Sequence, residues 1–108
     1  MEVIIDYELK KRIKLNKYDS REVILLYNTV KTLKKSFSGQ FLRNIKYDKV
    51  NLKLLEKRAT RSYRVYFIII VKENCAVVLD IIHKKYQKEY IRKVEENIEN
   101  IFKRNFGP

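Results

Sequence analysis

The stretch RSYRVYFIIIVKENCAVVLDIIHKKYQKEY, residues 61 to 90, decides how the rest of this chain is read. Its apolar part falls into two runs, Tyr63–Val71 and Cys75–Ile82, separated by the polar triplet Lys72-Glu73-Asn74. Short runs rich in Val, Ile and Tyr and bounded by a polar turn are strands. Tyr63–Val71 is apolar on both faces, which places it centrally in a sheet. Paired as a hairpin, the two strands bring their outer ends together, and those ends are cationic: Arg61 and Arg64 on one side, His83, Lys84, Lys85 and Lys88 on the other.

Working outward, Val3-Ile4-Ile5 reads as a short first strand, and Lys10–Lys17 (KKRIKLNK) as a basic strand extension or loop. Asp19 with Glu22 three residues on has the form of a helix-opening capping box, with Ser20 as the competing cap. Val23, Leu26, Val30, Leu33 and Phe37 recur at helical spacing, so an amphipathic helix is expected over 20–36, stopped by Ser38-Gly39. Residues 40–50 read as irregular, or as a short helical turn around Gln40–Ile45. Leu52–Arg58 reads as a strand with Lys53 and Lys57 on the face opposite Leu52 and Leu54. Ile91, Val94, Ile98, Ile101 and Phe102 form one stripe of a C-terminal helix from about Gln87 to Lys103. The order β-α-β-β-β-α predicts a small α+β domain over residues 1–108. Its sheet is twisted and mostly antiparallel, with one N-terminal and one C-terminal helix.

Composition narrows the function. Of 108 residues, 45% are hydrophobic, which suits a globular domain rather than a disordered chain. Lys and Arg exceed Asp and Glu by a formal +12, a charge that calls for a polyanionic partner, nucleic acid first. No apolar run reaches the ~20 residues of a membrane span. The start Met1-Glu2-Val3 has no basic signal region, and the lone Cys75 cannot form an internal disulfide, so the cytoplasm is the expected compartment. One His and one Cys do not make a zinc site, and two glycines make no phosphate-cradling loop, so neither metal nor cofactor is expected. What remains is cations, one imidazole and several tyrosines. That set suits RNA cleavage, because RNA carries its own nucleophile in the 2′-hydroxyl. Arg and Lys can stabilise the charge on the phosphoryl oxygens, His or Lys can move protons, and Tyr can stack on a base.

Ser62-Tyr63-Arg64-Val65-Tyr66, a short turn, a Val/Leu/Ile strand and a basic stretch ending in Tyr90 together resemble the RelE/ParE superfamily of bacterial toxins. Lys84-Lys85-Tyr86-Gln87-Lys88 before a helix is similar to the HigB-like, phage-derived branch. The resemblance covers roughly residues 50–100. It implies a twisted sheet flanked by helices and a type II toxin that cuts mRNA on the ribosome, held in check by an acidic antitoxin. It also implies roles: Arg64 on the scissile phosphate, Tyr90 stacked on a base, Lys57 and then Lys53 from the preceding strand, and His83 at the end of the last strand. Arg58, Arg61, Lys84, Lys85 and Lys88 are expected along the RNA backbone, as contacts that position rather than react.

Two other functions stay open at this stage: a gyrase inhibitor on the same scaffold, and a basic nucleic-acid-binding module without toxicity. Plainer roles stay open too. Arg64 could pair with Asp80 across the hairpin, Tyr90 could belong to the core, and the lysines could be a solvated face. Asp80 reads as a structural partner for a cation, and Cys75 as inert packing.

Overall fold

The strand that is apolar on both faces sits in the middle of the sheet. In the computed structural model, which describes residues 1–107, β1 (Glu2–Ile5), β2 (Gln40–Tyr47), β3 (Val50–Arg58), β4 (Tyr63–Ile70) and β5 (Cys75–His83) form one sheet in the order β1-β5-β4-β3-β2. All neighbours are antiparallel except β1, which runs parallel to β5. The α+β class and the mostly antiparallel sheet are as expected from the sequence.

Four helices cover the sheet: α1 (Tyr7–Lys14), α2 (Ser20–Lys35), α3 (Gln87–Glu96) and α4 (Ile98–Phe106). Alternation along the strands divides the core in two. Val65, Phe67, Val78 and Ile81 meet Leu9 of α1 and Leu26, Val30 and Leu33 of α2. On the other face, Leu52, Leu54, Ile68, Ile70 and Val77 meet Val94, Ile98 and Ile101 of α3 and α4. Fully burying a side chain of this size contributes about 1.5–3 kcal/mol. Helix α2 opens as expected, with Asp19 accepting from the Glu22 backbone amide and Glu22 accepting from the Asp19 backbone amide.

Three segments differ from the sequence reading. Residues 10–14 of the basic run are helix, not strand extension or loop. Leu9 is fully buried and Ile13 packs beside it one turn on, while Lys11, Arg12 and Lys14 fall in the last turn, where cations favour the helix dipole. Asn16, left-handed at φ 56°, follows the helix end. Residues 40–47 are an edge strand, not irregular or helical. A register shift between Phe41 and Arg43 breaks its alternation, and only Ile45 is buried. A two-residue turn then joins Tyr47 to Val50, with Asp48 at φ 54°. The single C-terminal helix is two, divided at Asn97, although the apolar stripe continues through the break. Among the described residues no helix is long and apolar enough to cross a membrane.

One asymmetry of the sheet matters below. β1 pairs with β5 only from Cys75 to Val78, so the outer half of β5 has no neighbouring strand on that side. Helix α1 crosses there instead. Arg12 Nη2 donates to the Leu79 carbonyl (3.5 Å) and to Asp80 Oδ2 (3.2 Å), and Tyr18 Oη donates to Asp80 Oδ1 (2.6 Å). Asp80 therefore does hold a cation, but it is Arg12. Arg64 stands opposite Ile82, and the residue opposite Asp80 is Tyr66.

Candidate nucleic-acid interface

The hairpin brings the cationic ends together as the sequence implied. Tyr63 stands opposite His83, and the Lys84 amide donates to the Ser62 carbonyl at 2.7 Å. Arg61 lies in the β3–β4 loop, while Lys84, Lys85 and Lys88 follow β5, and all four are exposed. Lys53 is exposed in the middle of β3, opposite Asn44 and Ile69, away from this end.

At the same end a groove of about 490 Å³ is lined by Ser38, Gly39, Gln40, Glu56, Lys57, Arg58 and Arg64. Arg58 and Arg64 face each other across β3 and β4. Arg64 Nη1 donates to the carbonyls of Thr60 (2.9 Å), Tyr63 (3.2 Å) and Arg61 (3.4 Å). Among the described residues its Nε and Nη2 have no acceptor, so one edge of the guanidinium is fixed and the other is free. Lys57 Nζ donates to Ser38 Oγ at 2.8 Å. Gly39 is needed here: a Cβ would come within 2.5 Å of the Phe67 ring.

Glu56 is the residue that sequence reasoning missed. It is 8% exposed, yet among the described residues no cation is close enough to form an ion pair with it. Its carboxylate accepts from Gln87 Nε2 at Oε2, 2.6 Å away, its one side-chain bond among the described residues. Beside it the Tyr66 hydroxyl is buried and, among the described residues, has no partner with hydrogen-bond geometry. Burial first, then the Glu56 carboxylate, pushes that phenol up to about 12 from its ordinary 10.0. The lining therefore combines three cations with a carboxylate that has one oxygen unengaged. It can bind a phosphodiester and accept a proton.

The other two proposed catalytic residues lie elsewhere. His83 shares the α1–α2 face with Tyr63, opposite to Arg64. Its ring meets those of Tyr63 (5.5 Å) and Tyr86 (6.4 Å), and its Nδ1 accepts from the Lys85 amide at 3.2 Å. Tyr90 packs on Tyr66 with ring centroids 4.7 Å apart. Burial pushes its phenol well up, with Asp80 adding to the shift. The structure thus gathers Lys57, Arg58 and Arg64 at one groove, and sets His83 and Tyr90 apart from it. A signal for Glu56 was present in the sequence: it is in phase with Leu52 and Leu54, on the apolar face of the strand.

The chain was compared with protein-family models, curated proteins and solved structures, and none of them matches it.

Proposed function

We propose that this chain is the toxin of a type II toxin–antitoxin pair, an endoribonuclease that cuts mRNA on the ribosome and uses no metal of its own. The observation that carries the reading is the groove whose lining Glu56, with its carboxylate held by Gln87 through one oxygen, shares with Arg64, Arg58 and Lys57. Glu56 takes the proton from the 2′-hydroxyl as that oxygen attacks phosphorus. The free edge of Arg64, with Arg58, carries the charge that builds on the phosphoryl oxygens. Lys57 supplies the proton to the departing 5′-oxygen, leaving a 2′,3′-cyclic phosphate and a 5′-hydroxyl. Arg61, Lys84, Lys85 and Lys88 hold the flanking backbone, and an acidic antitoxin segment competes with RNA for the same cations.

The test is induced expression in a bacterium, with mRNA 5′ ends mapped by their chemistry. New 5′-hydroxyl ends in translated messages, lost when the nucleotide 5′ of the cut is 2′-deoxy in a reconstituted assay, are expected. New 5′-phosphate ends rule the mechanism out. Unbroken mRNA with inhibited DNA supercoiling makes the protein a gyrase inhibitor.

A further inference from the structure

A second cavity lies on the far side of β5 from the groove above, where α1 replaces the missing strand. It has a volume of about 290 Å³ and is walled by Arg12, Asp80, Tyr90, Lys93, Asn97 and Arg104 over an apolar floor. The floor residues Leu79, Val94 and Ile101 are almost wholly buried.

Its two arginines are held in the same way. Arg104 donates from Nε and Nη2 to Asp6 (2.8 and 2.7 Å), and Asp6 is fully buried. Arg12 donates from Nε to the Tyr18 hydroxyl (3.0 Å) and from Nη2 to Asp80. Among the described residues no acceptor meets Nη1 of either. Both carboxylates are already engaged: Asp6 also accepts from Asn105 Nδ2 at 2.7 Å, and Asp80 from Tyr18 and from the Ile81 amide at 2.8 Å. The acids thus orient the guanidinium groups and leave one amino group of each unused. Lys93 adds an exposed cation at the rim, 3.6 Å from Glu89 on its own helix, and among the described residues the Asn97 side-chain oxygen has no partner.

Such a rim suits a phosphate, because each guanidinium is fixed before the ligand arrives and little ordering is needed on binding. The floor suits a flat body attached to it, since a bare anion would leave the half-buried Ile82 and Tyr90 side chains uncovered. We infer that this cavity is a second nucleotide seat, with the phosphate between Arg12, Arg104 and Lys93 and the base against Tyr90 and Ile82. That the body is a nucleotide rather than another organic phosphate rests on the RNA-binding reading above. The seat lies across β5 from Arg64, so it would hold a part of the RNA remote from the cut.

Calorimetric titration of AMP, and separately of inorganic phosphate, into the full chain at low salt tests this. AMP should bind and inorganic phosphate should bind more weakly. Lys93→Ala changes an exposed side chain and should weaken AMP about tenfold, the worth of one charge-assisted contact. Arg64→Ala should bind AMP like the parent protein while losing RNA cleavage, which separates the two sites. Absence of AMP binding overturns the seat and leaves the cleavage reading standing. Loss of AMP binding in Arg64→Ala but not in Lys93→Ala moves the nucleotide to the other groove. Phosphate binding as tightly as AMP removes the nucleotide assignment.

Discussion

Arg58 and Arg64 meet on a single acceptor: the Thr60 carbonyl takes Arg58 Nε at 3.3 Å and Arg64 Nη1 at 2.9 Å. Two like charges on neighbouring strands are thereby held together by the loop that joins those strands. The loop is itself fixed, because Thr60 Oγ1 accepts from the amides of Ser62 (3.3 Å) and Tyr63 (3.2 Å). A polyanion that enters the groove relieves the repulsion and finds the donors already aimed.

Replacing Arg64 therefore tests the site at its best-positioned group. Arg64→Ala should fold, since the side chain is only part-buried and its bonds are to a surface loop. RNA cleavage should fall by about 10²–10³, the usual effect of losing one charge-stabilising donor. Arg64→Lys keeps the charge but not the fork, and should recover only part of the rate. A folded Arg64→Ala variant with full activity in a primer-extension assay would make the arginine structural.

Glu56→Gln separates proton transfer from binding. Glutamine has nearly the same shape and can still accept from Gln87 through its carbonyl oxygen, but it cannot take up a proton at neutral pH. Cleavage should drop by about 10²–10⁴ while RNA affinity stays the same or rises, because a negative charge has left a cationic groove. Affinity by fluorescence anisotropy and single-turnover cleavage are measured on the same preparation. An unchanged rate would remove Glu56 from the mechanism.

How much of this the sequence showed depends on how local the cause was. β4 was legible because a strand buried on both faces has no polar alternation, and the cap of α2 was legible because Asp19 and Glu22 satisfy each other. Helix α1 was hidden: its run of cations outweighs Leu9 and Ile13, whose burial depends on β1 ending halfway along β5. β2 was hidden by its bulge, which breaks the two-residue period. Arg58 and Arg64 could be read because strand pairing alone brings them together, and Lys57 is the next residue along the same strand. The half-engaged state of Glu56 depends on Gln87, thirty-one residues away and on a different element.

The pairing of Arg104 with Asp6 predicts an asymmetry in stability. Asp6 stands at the start of α1, yet its carboxylate makes no cap there and instead ties α4 to the first strand. Arg104→Ala leaves a fully buried carboxylate with only Asn105, and should cost about 3–5 kcal/mol. Asp6→Ala frees an arginine that is already 26% exposed and can turn to water, so it should cost less. Urea denaturation of both variants checks the order. Equal losses would mean that Arg104 contributes mainly through the packing of its stem.

Tyr66→Phe should stabilise the protein. Among the described residues the buried hydroxyl meets no partner with hydrogen-bond geometry, although the Glu56 and Gln87 side chains lie beside it, so removing it relieves a desolvation penalty of about 1 kcal/mol. The gain has a signature at alkaline pH. The phenol titrates at 10.0 when unfolded and at about 12 when folded, so between those values the unfolded chain sheds its proton first. Parent stability should therefore fall relative to Tyr66→Phe as pH rises from 10 to 12, and the difference should be flat below pH 9. Thermal or urea unfolding of the pair across that range measures both effects. A variant less stable than the parent at neutral pH would show that the Tyr66 hydroxyl has a partner in solution. Glu56 is the nearest acceptor, and its base role would then be shared with a tyrosine.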